Sequence, residues 1–170
     1  MNQERVNQDV VSLFRHLTLG VYVIGVAHGA ERDAFTAAAV MQTSYQPLIL
    51  AIAINPEHAS YPILRGARSF AISVLGQNQM LLAQRFGTTA TPGADKMQGV
   101  AWRTARLGAP ILSEALAFFE CAVKAEMPAG DHRIVLGQVL DGAILNSGTP
   151  MKYADTHNLD HSAALYPATF

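Results

Sequence analysis

Between Ala34 and Pro56 the chain carries no charged side chain. A stretch of that length could cross a bilayer as a helix. Its middle, however, reads Gln42-Thr43-Ser44-Tyr45-Gln46-Pro47. A spanning helix would have to bury those polar groups and a proline in hydrocarbon. The segment is therefore expected inside a folded domain, as strands, with no membrane partner.

The rest of the chain extends that reading. Val6, Val10, Val11, Leu13, Phe14 and Leu17 recur at helical spacing and predict an amphipathic helix over 3–17. GVYVIGVA (20–27) is rich in β-branched residues and predicts a strand. A polar turn is expected over 28–33, then a second strand over 34–42. PLILAIAI, closed by Asn55-Pro56, predicts a strand buried on both faces. A short helix is expected over 58–66, a strand over 69–75 and a helix over 77–86. The Thr, Pro and Gly-rich stretch 87–99 predicts a loop. Strands are expected over 100–107, 115–126 and 132–140, with a turn at 127–130 between the last two. The tail beyond Asn146 is expected to wrap over a surface. Strands mostly follow strands, which argues against a βαβ fold. It favours a mainly β fold: a closed or split antiparallel barrel with peripheral helices, in a single domain over 1–170.

Composition sharpens the picture. Half of the 170 residues are hydrophobic, and 12 Lys and Arg with 13 Asp and Glu make up only 15% charge. A typical domain has about 25%. A monomer of this mass exposes roughly 8,000 Å², which so few charges cover thinly, so part of the surface is expected to be hidden against another chain. The net charge of −1 and the lack of a basic patch argue against nucleic acid. The opening MNQERVNQDV has no apolar run of the secretory kind, the single cysteine cannot pair internally, and a cytoplasmic address is expected. No metal-ligand spacing, nucleophile elbow, P-loop or dinucleotide fingerprint occurs. Cys121 reads as a buried structural thiol.

What remains is a run of small and hydroxyl residues: Thr36, Ala37, Ala38 and Ala39, then Thr43 and Ser44, then Pro47. Small side chains let a flat ligand approach backbone N–H groups. The same run also suits a tightly packed strand pair.

The ordered set of features resembles the flavin reductase family with the FMN-binding split barrel. Leu13 to Val21 is similar to the family's opening helix and Thr-x-Gly turn, and Phe35 to Pro47 to its flavin-binding segment. Asn55, Ser60, Phe70 to Leu75, Gln79, Arg85-Phe86, Asp95-Lys96 and Trp102 follow at family-like spacing. Gly130-Asp131-His132 is similar to the family's Gly-Asp-His signature, and Gly137 to a glycine of its next strand. The resemblance covers roughly residues 10–155. It implies an NAD(P)H:flavin oxidoreductase that moves hydride from NADH or NADPH to FMN or FAD, works as a homodimer, and feeds reduced flavin to a partner monooxygenase. An FMN-binding electron carrier without appreciable NAD(P)H turnover is the alternative. The resemblance assigns flavin contacts to Thr36, Ala37, Ala38, Ala39, Thr43, Ser44, Asn55, Ser60, Arg85 and Phe86. It assigns the nicotinamide to Gly130, Asp131 and His132. No side chain is expected to be catalytic in itself, since the cofactors carry the chemistry. Ala34 and Ala39 stand where the family has Gly and Ser. One lost hydroxyl contact to a charged phosphate costs about 1.5–3 kcal/mol, roughly tenfold or more in affinity.

Overall fold

The computed structural model describes residues 8–88, 94–157, 159 and 166. Nine strands and three helices follow in the order α1 (Gln8–Leu13), β1 (Tyr22–His28), β2 (Glu31–Ala37), β3 (Val40–Tyr45), β4 (Leu48–Ile54), α2 (Ser60–Ala67), β5 (Ser69–Val74), α3 (Met80–Gly87), β6 (Trp102–Thr104), β7 (Pro110–Leu112), β8 (Ala117–Ala129) and β9 (His132–Ile144) among the described residues. None of the described helices is long and apolar enough to cross a membrane.

Seven strands form one antiparallel sheet in the order β2-β1-β5-β8-β9-β4-β3, and β6 pairs with β7 in a separate ribbon. The outer strands β2 and β3 are joined by only Ala38 and Ala39, so the sheet must curl until its two edges are neighbours. Val40 N–H donates to Ala38 O at 2.9 Å, a γ-turn, and Ala53 N–H donates to Ala39 O at 3.0 Å. The two edges do not pair with each other among the described residues, which makes this a split barrel, as the sequence predicts.

Two larger cores and a smaller one around Ala71, Ile111 and Phe118 fill the sheet among the described residues. Ile24, Val26, Phe35, Ile52, Ile54, Leu64, Phe70, Ile72, Cys121 and Val135 pack on the α2 side. Val21, Val23, Leu75, Ala83, Phe86, Met97, Leu112 and Met151 pack under α3. β1 contributes to both, because successive side chains of a strand point to opposite faces. Tight loops set the registers. Gly29 (φ +59) opens the Gly29-Ala30 loop between β1 and β2, and Gly130 (φ +64) opens the Gly130-Asp131 loop between β8 and β9. The strap beyond Asn146 bridges Gly76 through Pro150 and Gly20 through Lys152.

The structure departs from sequence expectation in several places. The expected turn at 28–33 is only Gly29-Ala30, and Glu31-Arg32-Asp33 belong to β2, an edge strand where charges are tolerated. The expected strand 34–42 is two strands broken at the γ-turn. The strand expected at 100–107 shrinks to 102–104 because it folds back on β7, which the sequence reading missed. The turn expected at 127–130 lies at 130–131, since β8 runs on to Ala129. β4 is not buried throughout: Leu48 is 51% exposed. Residues 3–7 of the helix expected over 3–17 lie outside the described residues, and 14–16 form a 3-10 turn.

Candidate functional site

Strand register brings part of the predicted set, Ala38, Ala39, Asn55 and His132, to one rim of the sheet. Ala39 bonds to Ala53, Ala53 faces Ile134, and Ile54 faces Arg133. Asn55 and His132 therefore emerge side by side from β4 and β9, next to the Ala38-Ala39 link. Thr43 and Ser44 lie further along β3, where Ser44 faces Ile49. They point the site toward the opposite end of the strand and are not gathered at this rim.

Each polar group at the rim has a defined state. Thr36 Oγ1 donates to Ala83 O at 2.8 Å and ties β2 to α3. Asn55 Oδ1 accepts the Glu57 N–H at 2.9 Å, an Asx-turn, while its amide Nδ2 has no partner among the described residues. Ser60 is fully buried, and its hydroxyl donates to Asp33 Oδ2 at 2.6 Å. Asp33 Oδ1 accepts the Ala34 N–H at 2.8 Å. Arg85 Nε donates to Lys96 O at 2.7 Å, and its Nη2 donates to Gln98 O, so the guanidinium pins the loop over 95–98. Phe86 is 1% exposed and sits in the core under α3. Ala37 and Ala38 are half-buried and Ala39 is exposed. The N–H groups of Ala38 and Ala39 have no backbone partner among the described residues.

Three residues outside the assigned site, His58, Asp33 and Lys96, lie close to it, and of these Lys96 enters the sequence reading only through the family-like spacing of Asp95-Lys96. His58 stacks on Phe35 with ring centroids 4.9 Å apart, and its Nδ1 accepts the Ser60 N–H at 3.2 Å. Burial pushes its pKa down, the nearby Lys96 acts the same way, and Asp33 opposes both. Asp33 lies within the electrostatic reach of both His58 and Lys96. The Lys96 ammonium is half-buried, with its pKa lowered by burial and partly restored by Asp33. It has no hydrogen-bond partner among the described residues. Asp33 looked like part of a turn, and only the β1–β2 register and the fold of α2 bring it under Ser60. Lys96 follows the Asp95 turn, whose carboxylate accepts the Met97 N–H at 2.8 Å; that local signal was readable in the sequence.

At the hairpin tip, His132 Nδ1 lies 2.8 Å from Asp131 Oδ1. The imidazole holds the exposed Asp131 carboxyl below its usual range. With Nδ1–H directed at that carboxylate, Nε2 is left for a ligand. Cys121 is buried in the core, and its thiol is pushed up to about 12 by burial first and by Glu120 second, so it is not a nucleophile.

A flavin mononucleotide needs a flat slot, donors for polar ring edges and a counter-charge for phosphate. The rim offers small side chains, two backbone N–H groups without backbone partners, the Asn55 amide and the Lys96 ammonium. These residues fit such a group.

A curled antiparallel sheet of this strand order, with its two edges left unpaired among the described residues, defines the split-barrel class. The chain belongs to the family described as the flavin reductase like domain, which matches residues 14–159. It is 35% identical over 138 residues to the reductase component of a 4-nitrophenol 4-monooxygenase/4-nitrocatechol 2-monooxygenase of Rhodococcus opacus, covering 81% of this chain and 72% of that one. It is 31% identical over 140 residues to diflavin flavoprotein A 1 of Synechocystis, covering 82% of this chain and 24% of that protein. The chain thus spans about a quarter of the length of the diflavin flavoproteins it matches. Among solved structures, the NADH:FAD oxidoreductase SgcE6 of Streptomyces globisporus, in complex with NAD and FAD fragments, is 29% identical with a TM-score of 0.77, over 88% of this chain and 90% of that one. BorF, the flavin reductase component of a bacterial two-component tryptophan halogenase, is 26% identical with a TM-score of 0.79, over 88% of this chain and 94% of that one.

Proposed function

We propose that this protein is an NAD(P)H-dependent flavin reductase that delivers hydride to FMN or FAD and supplies reduced flavin to a partner monooxygenase. The observation that carries the reading is a half-buried ammonium, Lys96, beside His58 and Asp33 and without a hydrogen-bond partner among the described residues, together with an imidazole, His132, steadied by Asp131. The flavin, when bound, accepts the hydride and so supplies the redox chemistry.

The chain's own residues bind, orient and exclude water. Lys96 and the Asn55 amide hold the phosphate end, with the Ala38 and Ala39 N–H groups available to the ring or the ribityl arm. Ser60 does not reach the ligand through its hydroxyl; it fixes Asp33, which sets the field around Lys96. Arg85 acts similarly, by placing the Lys96 loop. Phe86 supports that floor from below. Thr43 and Ser44 serve the ring end, along β3. His132 offers Nε2 as an acceptor for a carboxamide N–H, with Asp131 fixing the proton on Nδ1 and Gly130 shaping the turn. Good geometry is most of what hydride transfer asks of a protein. Ala39 lacks a hydroxyl, which supports flavin as an exchangeable substrate over flavin as a fixed group.

The same reading includes a homodimer in the cytoplasm. At the end of the sheet away from His132, β4, β8 and β9 run on into an open apolar groove of about 450 Å³ lined by Leu48, Phe119, Val139, Leu140 and Ile144. Ile144 is 84% exposed and Leu140 49%. A second copy seated there would also account for the low charge of the chain; obligate interfaces bury about 2,000 Å² or more in total.

The purified protein is tested by recording its visible spectrum and then following NADH and NADPH oxidation with no flavin, FMN or FAD. A colourless protein that turns over only with added flavin is expected. A yellow protein without turnover would instead favour the electron carrier, and no turnover with any pair would sink the reductase.

A further inference from the structure

Tyr61 follows Ser60 in the first turn of α2, and its hydroxyl donates to Glu126 Oε1 on β8. The same oxygen accepts Arg133 Nε from β9 at 2.7 Å. Arg65, one turn along α2, lies over the Tyr61 ring at 5.8 Å. One carboxylate in the long β8–β9 hairpin is thus held from two sides, by a helix and by the facing strand. The Glu126 side chain is 19% exposed and that of Arg133 32%. Burial would raise the Glu126 pKa, but the hydrogen bonds from Tyr61 and Arg133 outweigh it and hold the carboxyl below its ordinary value. The group is charged at neutral pH, and its contacts are charge-assisted.

Its position gives the cluster a consequence. Arg133 faces Pro128 across the hairpin and Ile54 on β4, and the next residue toward the tip is His132. α2 packs chiefly on β1, β2 and β5, so the Tyr61–Glu126 contact is a separate tie from the helix to the hairpin. Ser60 and Tyr61 are neighbours on α2, which places the Asp33–Ser60 bond and the hairpin tie on a single helical turn.

We propose that Tyr61 and Glu126 are positioning residues, which together with Arg133 brace the His132 hairpin against α2 and so set the separation between the nicotinamide contact and the flavin side of the rim. The inference rests on His132 being the nicotinamide contact. Without the brace the tip is free to move relative to the Asn55 loop, and donor binding suffers while flavin binding does not.

Tyr61→Phe, Glu126→Gln and the double variant are compared with the full wild-type chain. The readouts are KM for the nicotinamide donor, KM for flavin, kcat, and amide hydrogen exchange over residues 126–134. The donor KM should rise about fivefold or more in each single variant, as expected for a lost charge-assisted bond, with flavin KM and kcat within about twofold. The double variant should be no worse than Glu126→Gln alone, since Tyr61→Phe removes only one of the two bonds that meet on that carboxylate. Hairpin exchange should quicken while that of β1 and β5 stays unchanged. Unchanged donor KM in an active background overturns the inference. So does a joint rise in both KM values with faster exchange across the whole sheet, which marks a structural prop. If the wild type oxidises neither nicotinamide with any flavin, the reductase reading fails and the donor role fails with it. Unchanged hairpin exchange in both variants overturns the brace itself.

Discussion

His58 shows how a single side chain converts burial into pH dependence. Its folded pKa lies below the ordinary 6.5 because burial disfavours the imidazolium. As pH falls through 6.5 the unfolded chain takes up the proton first, so stability is present above that pH and drains away until the folded imidazole protonates as well. The melting temperature should therefore decline on mild acidification. His58→Asn keeps an acceptor for the Ser60 N–H and should flatten that decline below the ordinary 6.5; a slope identical to wild type would count against the assignment. Glu126 adds a second loss at lower pH, below its ordinary 4.5, with the same sign. Cys121 makes the complementary case. A thiol pushed up to about 12 should resist alkylating reagents in mild alkali until the protein is denatured, as thiol counting on native and unfolded samples would show.

At the scale of elements, the strands are held by close approaches that small residues permit. A Cβ on Gly137 would meet the Phe70 ring at 2.5 Å and Cys121 Cβ at 2.8 Å. Gly137→Ala should cost about 1–3 kcal/mol through overpacking, read as a lowered melting temperature. Met151, 1% exposed in the strap, packs under α3 with Leu75 and Phe86. Met151→Ala should cost about 2–5 kcal/mol in denaturant unfolding. These elements differ in how legible they were. β5 and β9 carry alternating or continuous apolar runs and were readable. The division of 34–42 was not, since Ala37, Ala38 and Ala39 have no periodicity to lose and the link is held beside β4 by the N–H of distant Ala53 donating to Ala39 O. β7 was hidden because its three residues are defined by packing on Gly25, where a Cβ would lie 2.1 Å from the Pro110 carbonyl oxygen. For the site, the Gly130-Asp131-His132 tip stood out as a contiguous motif. Asp33 did not, and Lys96 stood out only beside Asp95, since only the fold joins Asp33, His58 and Lys96.

For the molecule as a whole, the apolar groove and the scarcity of charge point the same way. If a second copy covers Leu48 and Leu140, replacing both with Asp should convert a dimer at micromolar concentration into a monomer in sedimentation. Soluble monomer from the wild type would leave the groove without its occupant. The sheet order carries another consequence, for synthesis. β2, β1 and β5 form one block and β4 with β3 another, and only the β8–β9 hairpin lies between them. As the chain leaves the ribosome, both blocks must wait with bare inner edges until residues 117–144 have emerged. The last strands of the sheet to be made are thus its keystone, and the nascent domain is most in need of a chaperone in the interval before they arrive.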